Sequence, residues 1–554
     1  MRLPSGSKLF GSPREIGRWV VSGLAFLLVW FALVAPNQLS RFSPAGFVRV
    51  PIEGLVILAV GLLNPPRVRW LATVLGGLLG LLTVLKLFDL LLFAVLDRPF
   101  NPVTDWGNIQ PGIGVVADSV GRFWAGVVIV CVVLLVLGVL VLVTWSVSRL
   151  LRLAARHRSA SIRTGTALAA VWLVFAVVGV HLAGGSVAST NAFGIADEQF
   201  QQVRAGLADQ KTFAAAVADD SFRSKPAGNL LTGLRGKDVL VVFVESYGRI
   251  AVQGSSFSPA VDDTLRSATS ALQATGFSAR SAFLTSPTFG GGSWFAHSTL
   301  QSGLWIDNQQ RYNELVGGDR FTLSDAFKRA GWRTVGDVPA NTKDWPQGTS
   351  FYHYDKIYDV RNVGYAGPRF SYATMPDQYV LSAFSRLELT PGHRPLMAEI
   401  DLVSSHTPWA PLPHLVPWNQ IGDGSIYDGM PTQGKSAASV WLHPSAVRAA
   451  YGQSIQYSLN SLVSFVQNAH DDNLVMVVLG DHQPSTIVSG NNSGHDVPVS
   501  IIARDPAVLD RASSWGWQAG LLPDPQAPVW PMDAFRDRFL TAYGPLPAAA
   551  AGPR

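Results

Sequence analysis

Long apolar stretches in the first 190 residues constrain this chain more than any other feature. They cover residues 16–34, 47–63, 71–95, 123–147 and 167–182. A helix needs about 20 apolar residues to cross a bilayer. Four stretches qualify, whereas the second is short and carries Arg49 and Glu53. The pattern predicts an N-terminal α-helical transmembrane bundle.

Basic residues orient this bundle, because positively charged loops stay in the cytoplasm. Four precede the first stretch: Arg2, Lys8, Arg14 and Arg18. Five follow the fourth stretch with no acidic residue among them: Arg149, Arg152, Arg156, Arg158 and Arg163. An even number of spans must separate two cytoplasmic segments. We therefore predict five spans in a multi-pass cell-membrane protein, with everything after the fifth span outside the cytoplasm.

The rest of the chain is polar and alternates between strand and helix patterns. Residues 186–235 are predicted to be a juxtamembrane linker, and residues 236–545 an extracytoplasmic α/β domain, after residues 1–185 of the membrane domain. Residues 546–554 form a tail. Cys131 is the single cysteine and lies in an apolar stretch, which excludes a disulfide framework. No basic patch interleaved with aromatic residues indicates nucleic-acid binding.

Three predicted strands end in residues that suit a metal ion. Glu245 follows DVLVVFV, His406 follows the strand at 396–403, and Asp481 and His482 follow NLVMVVL. In parallel sheets, ligands bind beyond the carboxyl ends of the strands. Each residue alone is more often an ordinary loop residue, but their convergence predicts one divalent metal ion, such as Mn, Mg or Zn.

A glycine run supplies a candidate nucleophile. Three glycines precede Ser293, which is predicted to begin a helix, and His297 follows four residues later on the same helix face. Backbone N–H groups in such a turn and at a helix N-terminus attract anions. The alternative interpretation is a plain N-cap serine. Thr288, at the start of the run, is the rival nucleophile.

At these residues the chain resembles the alkaline phosphatase and sulfatase superfamily in its membrane-anchored branch. It is most similar to lipoteichoic acid synthase-like phosphoglycerol transferases, with phosphoethanolamine transferases as cousins. The resemblance implies that Glu245, Ser293, Asp481 and His482 hold the metal. It also implies a sulfatase-like domain that reaches about Gly544, and a motif match in Tyr354, Asp355 and Lys356.

The resemblance further implies substrate-binding roles. His406 in SSHTPW corresponds to the family's substrate-binding histidine, and His495 to a histidine that contacts the phosphate. Trp345 is the nearest match to the family's W-N-R stretch, but the arginine is missing, which argues against glycerol phosphate itself as the bound group. His297 is a further substrate-binding candidate. Ser293 stands where synthases usually have Thr, and no C/S-x-P-x-R motif surrounds it, which argues against a true sulfatase.

The expected function is metal-dependent transfer of a phosphoglycerol- or phosphoethanolamine-type headgroup through a covalent Ser293 intermediate. The donor would be a membrane phospholipid and the acceptor a cell-envelope glycan or lipid. A membrane-anchored hydrolase is the alternative within the enzyme class. A non-catalytic polytopic transporter is the alternative outside it, although the spans are mostly uninterrupted.

Overall fold

The structure is a computed structural model that describes residues 13–63, 68–108, 113, 122–182, 185–491 and 493–546. The chain divides into two compact units. The first comprises Met1–Ala94, Arg98–Trp106 and Pro111–Leu207, and the second Val95–Asp97, Gly107–Gln110 and Ala208–Arg554. Arg2, Lys8 and residues 547–554 of the predicted tail lie outside the described residues.

The first unit is helical. Its helices are α1 (Pro13–Val34), α2 (Ile52–Leu63), α3 (Val68–Leu96), α4 (Arg122–Arg156) and α5 (Arg158–Val178). A further helix, α6 (Asn191–Ala218), begins in the first unit, ends in the second and occupies much of the predicted linker. Four helices of the described part are long and apolar enough to cross a membrane: Arg14–Val34, Trp70–Leu96, Arg122–Arg156 and Arg158–Val178. These match four of the five predicted stretches.

The second predicted span is not confirmed. Before α2 the chain forms a short strand, β1 (Val50–Pro51), which pairs with β4 (Ala188–Ser189). Two further short strands, β2 (His181–Leu182) and β3 (Gly185–Ser186), pair with each other. Because β1 occupies the residues just before it, helix α2 begins at Ile52 and has only 12 residues. At about 1.5 Å per residue it is about 18 Å long, whereas the hydrocarbon core is about 30 Å thick.

Polar groups of α3 are paired with backbone atoms inside the first unit. Lys86 Nζ donates to the carbonyl oxygens of Ala32 and Ala35 at 2.9 and 3.0 Å. Asp89 accepts hydrogen bonds from Asn37 Nδ2 and from the backbone N–H of Phe100. The cation thus satisfies carbonyl groups at the C-terminal end of α1, which have no partner within the helix.

The second unit contains a sheet of nine described strands. They are β5 (Asp238–Val244), β6 (Ser278–Thr285), β7 (Arg333–Asp337), β8 (Lys356–Tyr358), β9 (Leu396–Leu402), β10 (Leu474–Gly480), β11 (Asp496–Ala503), β12 (Gln518–Ala519) and β13 (Val529–Pro531). Their order is β12-β6-β11-β10-β5-β9-β7-β8, and β13 pairs with β6. The strands from β10 to β8 are parallel, whereas β11 is antiparallel to both of its neighbours.

Helices surround this sheet. They are α7 (Ser258–Ala274), α8 (Ser293–Ser302), α9 (Gln309–Gly317), α10 (Leu323–Arg329), α11 (Pro346–Ser350), α12 (Asp377–Glu388), α13 (Met430–Gln433), α14 (Ala437–Val440), α15 (Pro444–Ala469), α16 (Thr486–Ser489), α17 (Pro506–Arg511) and α18 (Ala534–Ala542). Every residue of β5 and β10 is buried, as expected of central strands covered on both faces. The predicted α/β architecture is therefore confirmed, with a mixed sheet.

Candidate active site

The carboxyl ends of the two central strands are level with each other. In the parallel register Val244 of β5 is the partner of Gly480 of β10. Glu245 and Asp481 are the next residues, so both follow their strands at the same edge of the sheet. Gly480 is required there, because a Cβ atom would lie 1.9 Å from the carbonyl oxygen of Tyr247.

Three of the predicted metal ligands form a compact, buried group. His482 Nε2 lies 3.5 Å from Glu245 Oε1 and 3.4 Å from Asp481 Oδ2. Glu245 is 8% exposed, and Asp481 and His482 are each 1% exposed. One ligand atom from each residue lies within 4.8 Å of the others. The structure therefore brings together three side chains that the sequence analysis had named as candidate metal ligands.

Hydrogen bonds turn the free atoms of this group toward a common point. His482 Nδ1 donates to the carbonyl oxygen of Gln483 at 2.8 Å, which leaves the lone pair on Nε2. Asp481 Oδ1 accepts the N–H groups of Ser246 and His482, both at 2.7 Å, so Oδ2 remains available. Such outer contacts commonly orient metal ligands. Two carboxylates and one imidazole suit a divalent cation, so the donor set fits the predicted metal.

Ser293 lies beside this group at the first residue of α8. Its Oγ is 3.1 Å from Glu245 Oε2 and 3.4 Å from His482 Nε2. Gly292 precedes it with φ +78°, a conformation that favours glycine. The Thr288 hydroxyl instead donates to the carbonyl oxygen of Gly291 at 2.5 Å, within the glycine turn. Ser293, and not its rival, thus approaches the predicted ligands.

The two carboxylates have pKa values shifted in opposite directions. Burial would raise the pKa of Glu245, but His406, His482 and the Ser246 hydroxyl outweigh burial and lower it. Burial and the negative charge of Glu245 raise the pKa of Asp481. Two carboxylates in one buried site repel each other, and a cation between them removes this repulsion.

His406 and His495 lie in the surroundings of the site. The ring of His406 stacks on Tyr372 with centroids 3.5 Å apart, and its Nδ1 donates to the carbonyl oxygen of Thr407. The ring of His495 packs against Phe289 in the glycine run at 5.5 Å. Burial lowers the pKa of both imidazoles, which favours their neutral forms.

His297 has partners that sequence reasoning missed. Its Nδ1 lies 3.0 Å from Glu399 Oε1 and 3.5 Å from Asp401 Oδ1, and its ring stacks on Phe243 at 3.8 Å. Burial would lower the pKa of His297, but Asp401 and Glu399 raise it to about 9. The available signal was two acidic residues two positions apart in the apolar strand LMAEIDL, because such residues share a face.

Trp345 packs among tyrosines. Its ring lies 5.3 Å from that of Tyr352 and 6.2 Å from that of Tyr354. The Tyr354 hydroxyl donates to Glu399 Oε2 at 3.0 Å. Trp345 is therefore connected through Tyr354 to the carboxylate that holds His297.

Comparisons with solved structures find several similar proteins. A lipoteichoic acid synthase from Listeria monocytogenes is 14% identical with a TM-score of 0.33, and the match covers 53% of this chain and 70% of that one. Lipooligosaccharide phosphoethanolamine transferase A from Neisseria meningitidis is 12% identical with a TM-score of 0.41, and the match covers 95% of both chains. A phosphoglycerol transferase from Streptococcus pyogenes is 12% identical with a TM-score of 0.33, covering 60% and 89%.

These proteins are of the kinds that the sequence motifs resemble. No protein-family model matches the chain. No curated protein matches it either.

Proposed function

We propose that this chain is a membrane-anchored phosphotransferase of the alkaline phosphatase superfamily. It transfers a phosphoglycerol- or phosphoethanolamine-type headgroup from a membrane lipid to a cell-envelope acceptor. The observation that carries the proposal is the approach of Ser293 Oγ to Glu245 and His482 at the start of α8. The motif resemblance is the reason for proposing a lipid donor. The apolar helices would anchor the protein in the membrane that contains this donor.

The first half of the reaction forms a phosphodiester between Ser293 and the headgroup. A divalent cation held by Glu245, Asp481 and His482 would supply positive charge that favours the serine alkoxide. Ser293 loses its proton and its Oγ attacks the phosphorus atom. The new oxygen–phosphorus bond forms as the bond to the diacylglycerol oxygen breaks, and the released diacylglycerol takes up a proton. The N-terminus of α8 favours the negative charge of the bound phosphate.

The second half regenerates the serine. An acceptor hydroxyl loses its proton and attacks the phosphorus atom of this phosphodiester, and Ser293 Oγ leaves and regains a proton. Neutral His406 and His495 are the proposed contacts of the phosphate oxygens. Hydrolysis differs only in that water replaces the acceptor hydroxyl.

The full chain in detergent, incubated with labelled phosphatidylglycerol or phosphatidylethanolamine, tests the proposal. We expect diacylglycerol as product and a headgroup phosphate on the Ser293 peptide by mass analysis. Ser293→Ala should give neither, and Ser293→Thr should retain some activity because it keeps a hydroxyl. An adduct on Thr288, or turnover by Ser293→Ala, would contradict the nucleophile assignment. Release of free headgroup phosphate in the presence of acceptor candidates would identify a hydrolase.

A further inference from the structure

A second group of metal-ligating side chains lies at the opposite edge of the sheet. Asp238 is the first residue of β5, His393 precedes β9, and Asp471 precedes β10. One ligand atom from each lies within 4.8 Å of the others. Glu245 lies seven residue steps after Asp238 along β5, so the group is about 23 Å from the candidate active site at about 3.3 Å per residue.

Each of the three side chains uses one polar atom to contact the backbone. Asp238 Oδ1 accepts the N–H of Leu396 at 2.9 Å, and Asp471 Oδ1 accepts the N–H of Asn473 at 2.8 Å. His393 Nδ1 lies 2.8 Å from the carbonyl oxygen of Thr390.

The remaining polar atoms of the three side chains are the ones that face each other. A carbonyl oxygen can only accept, so His393 Nδ1 carries a proton and Nε2 is the nitrogen that can bind a metal. That Nε2 lies 3.0 Å from Asp238 Oδ2. In metal sites, the ligand atom that does not bind the metal commonly makes a hydrogen bond that orients the side chain.

One oxygen of the group is buried without a partner. Asp471 Oδ2 has no hydrogen-bond partner, although it is shielded from solvent. An imidazolium at His393 would explain the contact with Asp238 but would leave the Asp471 carboxyl beside that of Asp238 with no cation between them, which costs free energy. Two neighbouring cations have partners elsewhere: Lys237 binds Asp505 at 2.9 Å, and Arg504 binds Asp472.

We propose that Asp238, His393 and Asp471 bind a second divalent cation, of the Zn²⁺ or Mn²⁺ class. One imidazole nitrogen and two carboxylate oxygens suit these ions. His393 and Asp471 are only partly buried, so an ion has a path to the group. The cation joins the beginnings of three adjacent parallel strands, and its role is structural. It stabilises the folded chain because the unfolded chain does not assemble the three ligands.

The test uses the full chain in detergent with both Glu245→Ala and His482→Ala, so that the first site is disabled. After treatment with EDTA and removal of the chelator, Zn²⁺ alone is added, and bound zinc and Tm are measured. We expect one equivalent of zinc that depends on the second group, together with a rise in Tm. Asp471→Asn should weaken zinc binding by at least about tenfold and abolish the rise in Tm.

The neighbouring Asp472→Asn is the matched control, because Asp472 is largely exposed and pairs with Arg504. It should keep both the zinc and the rise in Tm. His393→Asn is a second ligand variant if Asp471→Asn fails to fold. Full zinc binding in both ligand variants, or no bound zinc in the doubly substituted parent, would overturn the proposal. Neither outcome bears on transfer at Ser293, since the first site is already disabled.

Discussion

The ion pairs of His297 with Asp401 and Glu399 make stability depend on pH. Glu399 is 2% exposed and accepts hydrogen bonds from His297, Gln301 and Tyr354. The folded-state pKa of His297 is raised, so its contribution to stability is fully present below the unfolded pKa and is lost as pH rises through the folded one. With pKa values of about 9 folded and about 6.5 unfolded, the contribution is about 3 kcal/mol.

The substitution that tests this pairing is Glu399→Gln, which keeps the shape of the side chain and removes its charge. Between pH 7.5 and 9.5 the native chain should lose about 2 kcal/mol of this contribution. The variant should lose less, although Asp401 still raises the pKa of His297 there. Tryptophan fluorescence of the full chain in detergent with EDTA should show Tm falling by about 2 °C more in the native chain than in Glu399→Gln. This range lies above the pKa of Asp401, which burial raises to about 7.

Glu388→Gln is the matched control. Glu388 is also buried, but its partners are Arg333 and Tyr358, neither of which loses its proton below pH 9.5. This variant should be less stable at every pH while keeping the native dependence on pH. Equal slopes in the native chain and Glu399→Gln would refute the assignment of the raised pKa to this ion pair.

Three other results are expected. Glu245→Ala or His482→Ala should abolish transfer and lower metal content while preserving expression, and full metal content with activity in both variants would contradict the ligand assignment. Gly480→Ala should lower stability by about 3 kcal/mol or more because its Cβ would overlap a backbone carbonyl, whereas Gly434→Ala, with open space around the Cβ, should change Tm little. If all five stretches span, a reporter in residues 149–163 should report cytoplasm and one at the C-terminus should report the outside; the reverse pair would show that α2 does not cross.

The strands that could be predicted from the sequence are those whose stability comes from uniform apolar burial. DVLVVFV and NLVMVVL leave no polar atom to satisfy, so each predicts a central strand without knowledge of its neighbours. Strand β6 (SARSAFLT) was not predicted, although it lies inside the sheet. Its Ser281 hydroxyl lies 2.6 Å from that of Ser500 on β11, a contact between residues far apart in sequence. A buried polar residue is compatible with a strand only through such a partner.

Some residues of the candidate site could also be predicted from the sequence, and others could not. Glu245, Asp481 and His482 could be located because they directly follow recognisable strands. Glu399 lies within a strand and not after one, and the sequence does not show that it contacts His297. The short helix α2 shows the limit of charge-based reasoning, because loop charges predict orientation but do not measure the length of a helix.

The positions of the candidate ligands depend on the register between the two buried central strands, β5 and β10. Val244 and Gly480 are register partners, so a slip of one residue between the strands would separate Glu245 from Asp481 by about 3.3 Å along the strand direction. The ligand geometry therefore forms only when the two central strands have paired in this register. Loops around the site can vary in length and sequence without disturbing this distance, which leaves substrate preference free to change while the chemistry stays fixed.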